Sequence, residues 1–412
     1  MNDAHASLKR ETAADGMSGG REQKLPLRDW ILLPVLGLLT ICVVAFSAEA
    51  IAWRTFPESA SSVRDCYRSG GVGAIPNSVC WEKVPEGELT EFKFNSCGDR
   101  AGMECGPKPP ETLRIVMVGS SFAMGLYTAR ERTFAALLPT ELSRQTRHKI
   151  ELYNEGILGG APPLISQNFN RALAAKPDLI LWILTPWDMG NTAFELNGNA
   201  PLRSPEPAGK KGSMAWTLHR LKFAVTTNSI YNTALDRWHQ DKLNLLLRHF
   251  LYESQTLYLQ SYMKGSMRTL AGFLYTEPDA EWRDHLRGTD IYASDIEERS
   301  RVAGVPVVAV LIPNRAQAAM LSMDEWPAGY DPYKLGEEVR AIVTSHGGTY
   351  IDILPDFRNI PNSERYYMPV DGHPNADWHA MISEMLVKEL TSGAVPALRV
   401  AAQPQAAQEH ER

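Results

Sequence analysis

Nowhere in the 412 residues is there a Gly-Lys-Ser/Thr phosphate loop or a Gly-x-Gly-x-x-Gly turn. The lack of these phosphate cradles argues against a nucleotide cofactor. Neither sign of charge dominates: 42 Lys plus Arg stand against 48 Asp plus Glu, a net charge of −6. There is also no basic stripe with interleaved aromatics, so nucleic acid is not an expected partner. Cysteine is scarce, at five residues, and none forms a Cys-x₂₋₄-Cys pair, so the usual spacing of a zinc site is missing. His219, His239, His249 and His285 lack metal-ligand spacing as well and read as solvated or capping groups. No internal repeat is found. What is present is an ordinary globular composition, 44% hydrophobic and 22% charged, which excludes a mainly disordered chain. The length fits two or three domains, or one α/β domain with insertions.

Residues 30–48 (WILLPVLGLLTICVVAFSA) carry no charge and are bounded by Asp29 and Glu49. At about 1.5 Å per residue a helix here spans about 28 Å, close to the thickness of a hydrocarbon core. Trp30 and Trp53 bracket the run as interfacial aromatics do. Two A-x-A sequences, at 48–50 and 50–52, make a cleaved signal peptide the rival reading. The 29 largely polar residues before the run and its length favour an uncleaved anchor. Arg10, Arg21, Lys24 and Arg28 upstream, against Arg54, Arg64 and Arg68 downstream, give a slight positive-inside bias. Cys66, Cys80, Cys97 and Cys105 all follow the run, at spacings of 14, 17 and 8, while Cys42 lies within it. An even cluster on one side reads as two disulfides in an oxidising space, with three pairings open. The expectation is a single-pass protein of a bacterial inner membrane, its N-terminus cytoplasmic and its bulk periplasmic.

The expected organisation is a cytoplasmic tail (1–29), an anchor (30–52), a Cys-rich lead-in (53–112), a catalytic domain (113–395) and a loose tail (396–412). Apolar runs at 113–118, 150–153, 179–184, 305–312 and 350–353 read as strands. Helical stretches at 134–144, 164–174, 335–346 and 376–391 alternate with them. That rhythm indicates a parallel sheet covered on both faces. It is broken by an insertion at about 190–285, with a Pro/Gly/Lys-rich loop (197–213) and helical character over 214–275. Leu243, Leu246, Leu247, Phe250 and Leu251 mark one amphipathic face. Tyr252, Tyr258, Tyr262, Phe273 and Tyr275 read as packing residues.

Open α/β sheets bind ligands beyond the carboxyl ends of their strands. Gly119-Ser120-Ser121-Phe122-Ala123-Met124-Gly125 follows the first strand, on a turn that presents a hydroxyl at a helix N-terminus. Asn154-Glu155-Gly156-Ile157-Leu158-Gly159-Gly160 follows the second, where a bare N–H can approach a substrate. Asp371-Gly372-His373-Pro374-Asn375 precedes the last helix. A serine nucleophile needs a base, and a histidine base needs a carboxylate to fix its tautomer. Taken singly, each piece has a plain reading as a cap or a turn; their order along the chain gives them joint meaning.

In these blocks the chain resembles the SGNH/GDSL hydrolase superfamily over residues 108–395. The family's Gly-Asp-Ser-x-x-x-Gly matches residues 119–125 in the register that makes Ser121 the nucleophile. Its Asn with a Gly five residues on matches Asn154 and Gly159, and its last block matches Asp371 and His373. The resemblance implies a flavodoxin-like three-layer α/β/α sandwich with five parallel strands and no metal or organic cofactor. It implies an oxyanion hole from the Ser121 and Gly159 N–H groups, and a catalytic set of Ser121, His373 and Asp371. Three departures stand out: Ser120 replaces the usual Asp, Trp187 replaces the oxyanion Asn of the third block, and one residue rather than two separates Asp371 from His373.

Asn191 and Asn314 are positional candidates for the missing oxyanion donor. Asn314 and Arg315 follow strand four and are read as substrate-binding groups, Trp187 as a sugar-stacking ring, and Asp352 or Asp356 as a reserve acid. The function expected is an esterase acting on O-acetyl groups of envelope or exported polysaccharide, with acylated carbohydrate as substrate and envelope polysaccharide machinery as partner. An O-acyltransferase with the same residues and a non-catalytic polysaccharide-binding or assembly protein are the alternatives.

Overall fold

The computed structural model describes residues 26–57, 61–67, 73–192, 242–264 and 270–400. Most of the two expected tails (1–25 and 401–412), the loop at 197–213 and the stretch 214–241 lie outside them; residues 27–29 belong to the first helix and Pro396–Leu398 form a 3₁₀ turn. The chain divides into two units, Met1–Ile51 and Ala52–Arg412. Helix α1 (Leu27–Thr55) has its large apolar side chains from Trp30 to Phe46 exposed, and is long and apolar enough to cross a membrane.

In the second unit, the lead-in folds as a short antiparallel hairpin, β1 (Val79–Glu82) and β2 (Thr90–Lys93). Of the three open pairings the structure selects Cys66–Cys80 and Cys97–Cys105. Disulfides point to a compartment outside the reducing cytoplasm. Val63, Cys66, Cys80, Phe92 and Phe94 form a small core that takes in Met124 and Leu126, just past the serine turn. The lead-in is thus built onto the segment that carries the nucleophile candidate.

The main sheet is wholly parallel: β3 (Thr112–Gly119), β4 (Lys149–Gly156), β5 (Leu179–Leu184), β6 (Val307–Leu311) and β7 (Thr349–Ile351), in spatial order β4-β3-β5-β6-β7. This is the expected flavodoxin-like order. Burial on both faces accounts for the unbroken apolar texture of β5, whose six residues are all buried.

After the serine turn α2 (Ser121–Met124), helices α3 (Phe134–Thr146) and α4 (Pro162–Ala174) lead into and out of β4, and α5 (Pro186–Gly190) follows β5. The described part of the insertion holds α6 (Lys242–Tyr252) and α7 (Gln255–Lys264). Then come α8 (Ala280–Ala303), α9 (Arg315–Leu321), α10 (Lys334–Ser345) and α11 (Ala376–Glu389). Helix α3 pairs with α11 on one face, and α8 packs against α4 and α10 on the other.

Two elements depart from the sequence reading. Helix α8, the 24-residue crossover into β6, was not anticipated, because its buried side includes His285, Thr289, Glu297 and Ser300 rather than an apolar stripe. On α6, Leu247, Phe250 and Leu251 are exposed, and the side turned inward carries Lys242, Asn244 and Tyr252. The tyrosines do pack, in a run of ring contacts from Tyr252 through Tyr258 and Tyr262 to Phe273, edge-to-face at either end and tilted in the middle.

Candidate active site

The strand order reverses between β3 and β5, so the crevice at their carboxyl ends is the expected ligand site. Ser121 opens α2 directly beyond β3. Its Oγ lies 2.9 Å from His373 Nε2, and His373 Nδ1 lies 2.6 Å from Asp371 Oδ1. The structure therefore brings together three side chains from positions 121, 371 and 373 as a hydroxyl–imidazole–carboxylate relay. The carboxylate also accepts the His373 backbone N–H at 3.0 Å, a closure that the single intervening residue permits. Burial pushes the Asp371 carboxyl up, but its hydrogen bond to His373 and that residue's charge outweigh this and hold it below its ordinary value. The loop is closed on itself by Met368 N–H to His373 O at 2.8 Å and Gly372 N–H to Met368 O at 3.0 Å.

Three rings frame the imidazole. Tyr127 stands edge-on at 5.2 Å, Phe122 is tilted at 5.5 Å, and Trp187 is edge-on at 5.5 Å. Trp187 also fills the space over Gly372, where a Cβ would come within 2.9 Å of its ring. This tryptophan is a wall of the histidine pocket.

The loop after β4 meets the serine turn at backbone distance. Ile157 N–H donates to Gly119 O at 3.0 Å, and a Cβ at Gly160 would lie 2.4 Å from that same oxygen. Asn154 stiffens the loop, accepting from Gly156 N–H and donating to Ala123 O, both at 3.0 Å. Gly159 sits at φ +66°. The other positional donors are committed elsewhere. Asn314 caps α9 through Oδ1, accepting from Gln317 N–H at 3.0 Å, while its Nδ2 donates to the Tyr262 hydroxyl at 3.5 Å; Asn191 is exposed and donates to Trp187 O at 3.0 Å.

Ser120 is buried beside Asp188, a buried carboxyl that also closes a capping box with Thr185. Burial pushes Asp188 up to about 7 against the opposing pull of the Ser120 and Thr185 hydroxyls and of His373. A carboxyl thus stands behind the serine turn, supplied by α5, the helix after β5, rather than by position 120.

Arg315 is only 1% exposed, and its guanidinium donates to the Pro369 and Tyr252 carbonyls. The charge expected to meet a ligand is spent on the backbone. Asp352 pairs with Arg340 and Asp356 with Lys388, so neither stands in reserve for the relay. His285 is buried against Trp282 and His249 bonds Glu86, which corrects their reading as solvated or capping groups.

Beyond Tyr127 opens a cavity of about 470 Å³ whose lining sets charged groups, among them Glu86, Glu88, Arg132, Glu364, Arg365 and Asp377, into apolar surface. Among the described residues no group of three or more His, Cys, Asp or Glu side chains is placed to hold a metal ion. Sequence reasoning did not single out Tyr127 or Glu86, or Asp188 as a partner of Ser120. All three act across long sequence separations that no local motif marks.

No family model and no curated protein matches the chain. Among solved structures it is similar to an α/β hydrolase enzyme from the metagenome of Lake Arreo, Spain (13% identity, TM-score 0.36, covering 70% of this chain and 96% of that one). It is also similar to a variant of an acetyl-xylooligosaccharide esterase from Geobacillus (11% identity, TM-score 0.36, 70% and 96%). A third is the psychrotrophic esterase EstA from Pseudoalteromonas sp. (10% identity, TM-score 0.36, 68% and 97%).

Proposed function

We propose that this chain is a membrane-anchored, extracytoplasmic serine esterase of SGNH type that removes O-acetyl groups from envelope or exported polysaccharide. The observation that carries the reading is the continuous relay from Ser121 Oγ through the His373 ring to Asp371 Oδ1. His373 Nε2 takes the Ser121 proton as Oγ attacks the ester carbonyl carbon, and the carbonyl π pair moves onto oxygen. The Ser121 and Gly159 N–H groups are the donors to that oxyanion. The tetrahedral centre then collapses. The carbon–oxygen bond to the alcohol breaks, and the imidazolium, held by Asp371, hands its proton to the leaving oxygen. Water, deprotonated by the same imidazole, splits the acyl-enzyme and restores the serine.

The charged side chains in the cavity beyond Tyr127, the ring that stands against His373, support a hydroxyl-rich substrate over a long acyl chain. The apolar α1 and the disulfides support a tether with the site facing the periplasm.

The test is fluorophosphonate labelling of the full-length protein in detergent, with Ser121→Ala, His373→Ala and Ser120→Ala alongside. Labelling of wild type and Ser120→Ala, but not of Ser121→Ala or His373→Ala, is the expected result. An unlabelled, folded wild type overturns the reading in favour of a non-catalytic polysaccharide-binding protein. Faster acetyl transfer than hydrolysis, on adding oligosaccharide, would convert it to an acyltransferase.

A further inference from the structure

Two buried side chains of opposite charge, neither in the relay, hold the three residues that lead into the histidine loop. Glu86 lies in the connection between β1 and β2, its side chain 2% exposed. Its carboxylate accepts the Val370 N–H at 3.0 Å and the Asp371 N–H at 2.9 Å. The other carboxylate oxygen meets His249 Nδ1, on α6, at 2.6 Å. From α9, Arg315 donates to the carbonyl of Pro369 and to that of Tyr252 at the end of α6, and lies 3.9 Å over the Tyr258 ring. The backbone of residues 369–371 is thus gripped by an anion and a cation, and each of them also grips α6.

Asp371 has need of such support. Its side chain is one-third exposed, and the hydrogen bonds of its carboxylate among the described residues all go to His373. Its orientation therefore depends on where its backbone is held, and Glu86 holds it at the N–H. A buried carboxylate costs free energy unless charge-assisted bonds answer it, and here two backbone donors and an imidazole do so. His249 is itself covered by the Phe56 ring, edge-on at 5.2 Å, so the imidazole is fixed between the residue just past α1 and the acid.

We infer that Glu86 is a positioning residue for the Asp371–His373 pair, and that His249 places it, so that helix α6 of the insertion governs the geometry of the catalytic loop. The inference rests on the serine-esterase reading. It gives the insertion a role in organising the site in addition to whatever it does at the surface. Arg315, expected from the sequence to meet substrate, belongs to the same clamp.

The experiment compares kcat and KM for p-nitrophenyl acetate in full-length wild type, Glu86→Ala, Glu86→Gln, Asp371→Ala and the Glu86→Ala/Asp371→Ala double variant. Because small misplacements of a catalytic group cost up to about 10²-fold, Glu86→Ala is expected to lose about 10- to 100-fold in kcat with little change in KM. Glu86→Gln keeps one acceptor oxygen at similar volume, guards against a folding failure, and is expected to fall between. In the Asp371→Ala background, Glu86→Ala is expected to cost about twofold or less, since groups acting as one unit are not additive. Wild-type kcat in both Glu86 variants overturns the inference and leaves the esterase reading intact. So does an undiminished loss in the Asp371→Ala background, which is the signature of general destabilisation. A wild type that neither hydrolyses the ester nor takes the fluorophosphonate overturns the esterase reading, and this inference with it.

Discussion

A methyl group added at Gly160 has no free space. Its Cβ would fall 2.4 Å from the Gly119 carbonyl oxygen and 2.9 Å from Ser120 Cα, and both are backbone atoms. That is about an ångström inside ordinary van der Waals contact. The serine turn does not yield easily: β3 pairs with β4 up to Gly119 opposite Gly156, and Ile157 N–H holds Gly119 O. Relief therefore comes from moving residues 157–160 outward by about 1 Å, and the Gly159 N–H moves with them; loss of one oxyanion donor costs about 10²–10³ in rate. Gly160→Ala is expected to lose about 10²-fold in kcat while overpacking costs about 1–3 kcal/mol of stability.

Gly159→Ala is the control. No atom lies within 4 Å of its Cβ, and its φ of +66° makes the substitution strained but not obstructed. It is expected to lose about 1–2 kcal/mol of stability and to keep its chemistry. The assay is the rate of p-nitrophenyl acetate hydrolysis and of fluorophosphonate labelling, with thermal melting in parallel. If Gly160→Ala stays within a few-fold of wild-type kcat, the assignment of this loop to the oxyanion is refuted.

Three further outcomes follow from the same geometry. Asp188 is raised by burial to about 7, whereas an unfolded Asp ionises near 3.9, so its burial costs stability progressively as pH rises from about 4 to 7. The melting temperature of Asp188→Asn relative to wild type is expected to climb over that window, and a gap that is the same at pH 4 and pH 8 refutes it. His379 is fully buried without hydrogen-bond partners among the described residues, and burial lowers it to about 3, so the unfolded chain takes up a proton below about pH 6.5 that the folded one refuses. Wild type is therefore expected to lose stability from pH 7 to 4 more steeply than His379→Leu, whereas parallel melting curves refute the idea. Opening the Cys66–Cys80 loop with two serines is expected to cost about 3 kcal/mol, and opening Cys97–Cys105 somewhat less, because the loops span 14 and 8 residues. Denaturant titration reads both, and a larger loss from the shorter loop contradicts the chain-entropy account.

Some features were legible in the sequence because their causes are local. Strands buried on both faces are largely apolar, and so residues 113–118 and 179–184 read as strands, the one buried charge, Arg114, being answered by Glu151. Anchors of membrane length need an uncharged run, which residues 30–48 supply. A serine after a strand and an Asp-x-His before a helix are short patterns, and they located Ser121, Asp371 and His373. Helix α8 escaped notice because local periodicity fails when a helix buries His285, Thr289 and Glu297 against neighbours.

What tertiary structure alone decided are relations between distant side chains. Which cysteines pair, what Arg315 grips, and which carboxylate stands behind Ser120 depend on distances across separations of 14, 54 and 68 residues. The bond from Glu86 to the Asp371 N–H spans 285 residues. Chain connectivity constrains neighbours in sequence, but the position of a carboxylate against a backbone N–H so far along the chain exists only once the sheet, the hairpin and the insertion have packed together. The sequence therefore determined which chemistry is available at the carboxyl ends of β3 and β4. Packing decided which groups hold that chemistry in place.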